Sequence, residues 1–256
     1  MEVVIRDSQS AVAVEAAGRV IALVQSAPAS QLGLATGATQ QGIYQLLIDA
    51  HRSGVADFSS ARYFMLDEYV GIPVSSSTSF QNVLSNDFLR HVQAPDGALE
   101  VLDGNAPDLE HETHRFEVAL GNAGGVDLQL LGIGTNGHIG FNEPGSSAES
   151  RTRVVELHTD TIHSNAHYFE SAESVPRCAL SQGIGTILEA RSILLIATGE
   201  SKARAIAAML EGPATEDCPA SLLQKHPNVT VIIDTAAASM LRTREKVKTR
   251  AQASSG

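Results

Sequence analysis

Cysteine and aromatic residues are scarce in this sequence. It has two cysteines, no tryptophan and 4% aromatic residues in 256 positions. Two cysteines cannot form a disulfide framework, and no cluster of cysteine and histidine has the spacing of a zinc site. We therefore expect Cys178 and Cys218 to be buried as small apolar residues in a protein of a reducing compartment.

Long uncharged apolar runs are also absent. No stretch reaches the ~18 residues that a membrane-spanning helix needs. The apolar residues near the N-terminus are interrupted by Asp7, Glu15 and Arg19, and no basic segment precedes them. They therefore do not resemble a signal peptide, and we expect a cytoplasmic protein without a membrane partner.

Basic residues are outnumbered by acidic ones. Lys and Arg total 18 against 29 for Asp and Glu, which gives a formal charge of −11. Such a surface repels polyphosphates, which argues against a nucleic-acid partner, so an anionic ligand would have to bind in a local pocket. The exception is a basic tail at residues 242–256, which we expect to be a solvated, frayed terminal helix.

What the sequence does contain is an alternation of short apolar runs with longer amphipathic segments, and 43% hydrophobic residues. The runs predict strands over Val3–Arg6, Leu32–Ala35, Arg62–Leu66, Val126–Gly132, Ile193–Ala197 and Val229–Ile233. The predicted helices run from Ser8 or Ser10 to about Ser26 and over Gln40–Arg52, Phe80–His91, Pro107–Leu120, Pro176–Ala190 and Glu200–Glu211. This order predicts a single α/β domain with a doubly wound, mostly parallel sheet.

Three predicted strands end in glycine-containing loops, at Leu32–Thr39, Leu131–Gly145 and Leu194–Ala203. Ligands of open parallel sheets bind beyond the carboxyl ends of the strands. Glycine lets the backbone approach a ligand, and the helix that follows offers free N–H groups to an anion. With Lys202 at the start of a helix, the three loops predict a phosphate-bearing small molecule. None has the spacing of a nucleotide-binding motif.

Two groups of side chains at the same strand ends are candidates for acid–base chemistry. Asp67 and Glu68 follow an apolar strand, so at least one carboxylate should lie at the mouth of the sheet, where it could act as a base. His138 lies in the second of the three loops, Leu131–Gly145, between Asn136 and Glu143. Glu143 could orient the imidazole ring or stabilise its charge, and Asn136 could add a hydrogen bond.

Five motifs make the chain resemble a known family. They are LDEYVG (Leu66–Gly71), GNAPD (Gly104–Asp108), GTNGHIGFNEPGSS (Gly134–Ser147), SRTR (Ser150–Arg153) and ALSQGIGTI (Ala179–Ile187). In this order, from the first strand to about Leu241, they resemble the glucosamine-6-phosphate deaminases. These enzymes share a modified Rossmann-like fold with the 6-phosphogluconolactonases, and Tyr69 together with FNEPG favours the deaminase branch.

The resemblance implies conversion of glucosamine 6-phosphate and water to fructose 6-phosphate and ammonia, without a metal or organic cofactor. It implies that His138, with Glu143 and Asn136, opens the sugar ring, and that Asp67 moves a proton between C2 and C1. A helical lid over about residues 153–182 would close the site. The residues expected to bind the substrate or its phosphate are Thr36, Gly37, Ala38, Thr39, Glu68, His167 and Lys202.

Two departures from the family pattern bear on binding and regulation. His167 stands where the family usually has an arginine that grips the phosphate, which predicts weaker phosphate binding, a lower pH optimum for affinity or a shifted substrate. Val155 stands where the regulated, hexameric members have a lysine near the SRTR segment. We therefore expect a non-allosteric monomer or small homo-oligomer.

Two other functions compete with this interpretation. One is a deaminase or isomerase of a related amino-sugar phosphate, such as galactosamine 6-phosphate, which the change at His167 leaves open. The other is a non-catalytic sugar-phosphate sensor, because the same fold serves as the effector domain of some transcription regulators. A sensor needs no general base, so Asp67, His138 and Glu143 argue against it.

Overall fold

A computed structural model describes residues 1–242, and of residues 160, 164 and 172 it describes the backbone alone. Apart from Arg242, the predicted basic tail lies outside the described residues. None of the helices in this part of the chain is both long and apolar enough to cross a membrane.

A parallel sheet forms the centre of the fold. In residues 1–242 the strands are β1 (Glu2–Arg6), β2 (Gln31–Leu34), β3 (Arg62–Met65), β4 (Asp67–Tyr69), β5 (Leu99–Glu100), β6 (Leu128–Leu131), β7 (Arg153–Glu156), β8 (Cys178–Ser181), β9 (Ile193–Ala197) and β10 (Val229–Asp234). Seven of them pair in the order β1-β10-β9-β6-β2-β3-β5, and every neighbouring pair is parallel. The doubly wound sheet predicted from the apolar runs is confirmed.

Helices cover both faces of this sheet. They are α1 (Gln9–Ser26), α2 (Ala38–Arg52), α3 (Phe80–Asp87), α4 (Leu109–Asn122), α5 (Thr159–Asn165), α6 (Ile184–Leu188) and α7 (Ala203–Glu211). Successive strand residues point to opposite faces, so Leu130 packs in the core that contains α1 and α2, and Leu131 in the core that contains α4, α6 and α7. Both faces of the sheet are therefore covered by a hydrophobic core, as the uninterrupted apolar runs require.

A second, smaller sheet was not predicted from the sequence. β4, β8 and β7 pair antiparallel in that order. The predicted helix over Pro176–Ala190 is therefore wrong in its first half, because Cys178–Ser181 is a strand and only Ile184–Leu188 is helical. A Cβ on Gly183 would lie 2.1 Å from the carbonyl oxygen of Ser150, so the chain between the two elements is pressed against another backbone.

Smaller differences concern one helix end and the two cysteines. The helix predicted over Phe80–His91 ends at Asp87 and is followed by a 3-10 turn at Leu89–Val92. Cys178 and Cys218 are free thiols, but both are half-buried and not buried.

Candidate active site

The carboxyl ends of β2, β3, β6 and β9 surround a cavity of about 890 Å³. Most residues predicted to act on or bind a substrate line it: Thr36, Gly37, Ala38, Thr39, Asp67, His138, His167 and Lys202. Asn136 and Glu143 lie behind His138, and Glu68 lies outside the cavity. A second crevice of about 260 Å³ between α4 and α6 contains none of the predicted residues.

Asp67 reaches the cavity because the chain changes sheets at Leu66. β3 of the central sheet ends at Met65. β4 of the second sheet begins at Asp67, which pairs with Ser181 of β8. Gln182 holds this crossover, since its backbone N–H donates to Leu66 O at 2.9 Å and its side chain to Met65 O at 2.8 Å. Asp67, the candidate base, therefore lies where the chain passes from the central sheet to the second sheet, and hydrogen bonds fix the backbone there.

The environment of Asp67 suits a base that works near neutral pH. Its side chain is buried although it lines the cavity. Burial, followed by the negative charge of Glu68, raises the pKa of Asp67 to about 8. A carboxylate of this strength takes a proton from carbon more readily than one with an ordinary pKa.

Glu68 does not occupy the position expected of a substrate ligand. Successive side chains of a strand point to opposite faces, so Glu68 turns away from the cavity that Asp67 lines. Its carboxylate accepts hydrogen bonds at the start of α3 from Ser79 Oγ, Phe80 N and Gln81 N. The structure therefore gives no support to the prediction that Glu68 binds substrate.

His138 is held close to the glycine loop that follows β6. A Cβ on Gly134 would lie 2.2 Å from the imidazole ring, so no other residue fits beneath it. The backbone N–H of Gly134 donates to His138 O at 2.9 Å, which closes the loop. The spacing of GTNGH is thus explained by the ring that packs on its first residue.

Glu143 links His138 to two neighbours. Its Oε2 lies 3.5 Å from His138 Nδ1, an ion-pair distance, and accepts a 2.7 Å hydrogen bond from Asn136 Nδ2. Its other oxygen accepts from the Thr161 hydroxyl of α5. Burial alone would raise the pKa of Glu143, but the interaction with His138 and the hydrogen bonds from Thr161 and Asn136 outweigh it and lower the pKa to about 2. Glu143 is therefore a permanent anion beside the imidazole.

Asn136 serves both partners of that pair. While its amide nitrogen donates to Glu143, its Oδ1 accepts the backbone N–H of His138 at 3.1 Å. An aspartate here could accept from His138 N but could not donate to Glu143. The three residues predicted to act together are therefore brought together by the fold.

A lysine and the start of a helix also line the cavity. Gly37 caps the 15-residue helix α2 with φ of 124°, a conformation that favours glycine. Gln40 N and Gln41 N donate to Gly37 O, which leaves the N–H groups of Ala38 and Thr39 at the start of α2 beside the cavity that these two residues line. No acidic residue lies in this first turn. Lys202 lies at the N-terminus of α7, and its ammonium forms no ion pair with the carboxylates that the structure describes, which do not include that of Asp160. Burial lowers the pKa of Lys202.

The segment between β7 and β8 covers the cavity. It contains α5 and short 3-10 turns at Ala166–Tyr168 and Ala172–Ser174, so the helical lid predicted over residues 153–182 begins and ends in strands. His167 is exposed and lines the cavity beside Tyr168.

Tyr69 anchors this lid to the catalytic strands, and its role was missed at the sequence level. Asn165 Nδ2 donates to the Tyr69 hydroxyl at 2.9 Å, and the Phe169 ring packs edge-on against Tyr69 at 5.5 Å. Its neighbours Phe80 and Phe141 complete an aromatic cluster. The LDEYVG motif thus carries both the base candidate and the anchor of the lid.

No resident metal site emerges from the described part of the chain. In residues 1–242 no group of three or more His, Cys, Asp or Glu side chains is arranged to hold a metal ion.

Comparisons with known proteins agree with the geometry. Residues 7–232 match the family model of glucosamine-6-phosphate isomerases and 6-phosphogluconolactonases. The chain is 49% identical to a glucosamine-6-phosphate deaminase of Corynebacterium aurimucosum, over 96% of both chains. It is 50% identical to one of Rhodococcus jostii, over 94% of this chain and 93% of that one.

Solved structures show the same relationship. A monomeric glucosamine-6-phosphate deaminase superposes with a TM-score of 0.92 at 42% identity, over 94% of this chain and all of the other. A 6-phosphogluconolactonase of Trypanosoma cruzi superposes with a TM-score of 0.76 at 21% identity, over 94% and 97% of the chains. This more distant likeness shows the common fold alone.

Proposed function

Because this chain belongs to the family of glucosamine-6-phosphate isomerases and 6-phosphogluconolactonases, we propose that it is a glucosamine-6-phosphate deaminase. The observation that carries the proposal is the meeting of two acid–base groups in one cavity. Asp67, with its pKa raised to about 8 by burial and by Glu68, and the pair of His138 and Glu143 line or support the same 890 Å³ space.

The first step is opening of the pyranose ring. His138 is proposed to carry the proton from the C1 hydroxyl to the ring oxygen, so that the C1–O5 bond breaks and C1 becomes an aldehyde. Glu143 stabilises the imidazolium that forms in between, since an ionised carboxylate lies 3.5 Å from Nδ1. Asn136 and Thr161 hold that carboxylate in place.

The second step moves a proton between adjacent carbons. Asp67 is proposed to remove the proton from C2 while the C2 ammonium gives one proton to the C1 oxygen, so that an enol with a neutral amine on C2 forms. Asp67 then returns its proton to C1. C1 is then a hydroxymethyl group and C2 an iminium ion. Water adds to C2 and ammonia leaves, which yields the ketone of fructose 6-phosphate. The overall reaction consumes one water and needs no oxidant.

The phosphate is proposed to bind where the loop after β2 and the start of α7 line the cavity. The free N–H groups at the start of α2, in the loop Thr36–Thr39, and the ammonium of Lys202 suit a dianion. His167 faces the same cavity from the lid. Because the phosphate would bind these donors and the sugar carbons would have to reach Asp67 and His138 in the same cavity, a sugar phosphate would bind in one orientation.

The deciding assay is ammonia release from glucosamine 6-phosphate. We expect the parent chain to release ammonia and fructose 6-phosphate, and Asp67→Asn to lose at least ~100-fold in rate, since a general base contributes about that much or more. Asp96→Asn, at an exposed position outside the lining of the cavity, is the matched control. A folded parent that releases ammonia from galactosamine 6-phosphate and not from the gluco epimer, or from neither, would overturn the proposal.

We also propose that the enzyme is a monomer with hyperbolic kinetics in the cytoplasm. A relative with 42% identity is described as monomeric, and Val155 leaves Arg153 without the lysine of the regulated members. Arg153 donates instead to Asn142 and Ser146. Light scattering checks the mass, and a sigmoidal rate curve relieved by N-acetylglucosamine 6-phosphate would contradict the kinetic part.

A further inference from the structure

Glu68 is a buried carboxylate that the proposed reaction leaves without a function. It is 5% exposed and is adjacent in the chain to the base candidate Asp67. It does not line the cavity, so it cannot touch a substrate there. Burying a charge is expensive unless hydrogen bonds compensate it, so its presence beside another buried carboxylate requires an explanation.

The hydrogen bonds of Glu68 account for its burial. Oε1 accepts from Tyr69 N at 2.9 Å and Phe80 N at 3.0 Å, and Oε2 accepts from Gln81 N at 2.9 Å and Ser79 Oγ at 2.8 Å. Three of the four donors are backbone N–H groups, which can only donate. The ionised carboxylate is the form that accepts all four bonds, and two of the donors belong to the first turn of α3, where a negative charge is favoured.

The strand between the two acids fixes their relative positions. Asp67 and Glu68 are consecutive residues of β4 and point to opposite faces, one into the cavity and one onto α3. β4 is itself held in register with β8 by pairing of Asp67 with Ser181 and Glu68 with Leu180. The Glu68 carboxylate therefore cannot move away from Asp67 without breaking the start of α3.

We infer that Glu68 is a positioning residue for Asp67, which fixes β4 to α3 and places a carboxylate behind the proposed base. This inference rests on the proposed function, since it gives Asp67 the role of base. A negative charge on the adjacent residue opposes ionisation of Asp67 and so makes Asp67 a stronger base. After burial, the charge of Glu68 is the cause that raises the pKa of Asp67.

Other ionisable groups also face Asp67. Tyr69 follows on its own strand, Tyr44 approaches from α2, His138 with Glu143 lies on the loop after β6, and Lys202 lies at the start of α7. All of them are present in both parent and variant, so a difference between the two pH profiles reports on Glu68. The ionisations of the substrate are likewise common to both enzymes.

The test compares the pH dependence of kcat/KM for ammonia release in the parent, Glu68→Gln and Glu68→Asp. Glu68→Gln removes the charge that opposes ionisation of Asp67, so the acid limb of the pH profile should move to lower pH by about one unit. Glu68→Asp keeps the charge, so its limb should stay within about half a pH unit of the parent's.

Loss of rate without movement of the limb in Glu68→Gln would overturn the inference, because a purely structural residue lowers the rate at every pH. An equal movement in Glu68→Asp would overturn it as well. If Glu68→Gln does not fold, Ser79→Ala decides. Removing the hydroxyl donor leaves the charge of Glu68 less compensated, so the limb should rise; an unmoved or lowered limb would contradict the inference. A parent without deaminase activity would refute the proposed function instead, which is a different result.

Discussion

The raised pKa of Asp67 makes a prediction about stability that is independent of any substrate. The usual pKa of this carboxyl is 3.8, and burial together with Glu68 raises it to about 8 in the folded chain. Between these values the folded chain holds a proton that the unfolded chain has lost. The free energy of unfolding therefore falls as the pH rises through this window. Asp67→Asn, which carries no titrating group there, should escape this loss.

The size of the effect follows from the window. Each pH unit between about 5 and 8 removes about 1.4 kcal/mol, which sets a ceiling of about 4 kcal/mol. Because Asp67 lines an open cavity, water reaching its charged form lowers the cost, and we expect about 2 to 3 kcal/mol. The inactive variant should therefore gain stability over the parent by this amount between about pH 5 and pH 9.

Urea unfolding followed by circular dichroism measures this directly. The free energies of unfolding of parent and Asp67→Asn are compared at about pH 5 and about pH 9, so that all other titrating groups cancel in the difference. Asp87→Asn, an exposed carboxylate on α3, is the control and should leave the pH dependence of the parent unchanged. A gap between parent and Asp67→Asn that is the same at both pH values would refute the reasoning.

Three further substitutions test the rest of the cavity. His167→Arg should lower KM for glucosamine 6-phosphate, because a planar guanidinium binds a phosphate with two hydrogen bonds. An unchanged or higher KM would refute the prediction that His167 weakens phosphate binding. Lys202→Met should raise KM ~10- to 100-fold, while thermal unfolding shows no loss of stability, because the ammonium has no partner among the carboxylates that the structure describes. A marked fall in melting temperature would contradict this. Glu143→Gln should lower kcat ~100-fold, because the imidazolium of His138 loses its counter-ion. An unchanged kcat would remove Glu143 from the mechanism.

The central sheet was predictable because each of its long strands is a local signal. Runs such as Ile193–Ala197 are apolar at every position, and a strand covered on both faces requires that pattern. The second sheet carries no such signal. β4 has three residues and pairs with β8, more than 100 positions further along the chain. Nothing near Cys178 in the sequence distinguishes a strand there from the helix that was predicted.

The same distinction holds for the site. The residue types of Asp67, His138 and Glu143 and their places after strands were enough to predict that they meet. The orientation of Glu68 was not predictable, because it depends on β4 being a strand, which reverses the side of each successive residue. The contacts of Tyr69 with Asn165 and of Glu143 with Thr161 join distant segments, so they too required the fold.

These two contacts connect the acid–base residues of the cavity to one short helix, α5. Thr161 and Asn165 both belong to α5, one helical turn apart, and lie on the same side of it. Thr161 donates to Glu143, which supports His138, while Asn165 donates to Tyr69, two residues from Asp67 on β4. A displacement of α5 would therefore break one hydrogen bond in each acid–base group at once. Ring opening and proton transfer, the two proposed steps, use different residues, but the hydrogen bonds around both depend on the position of this one helix.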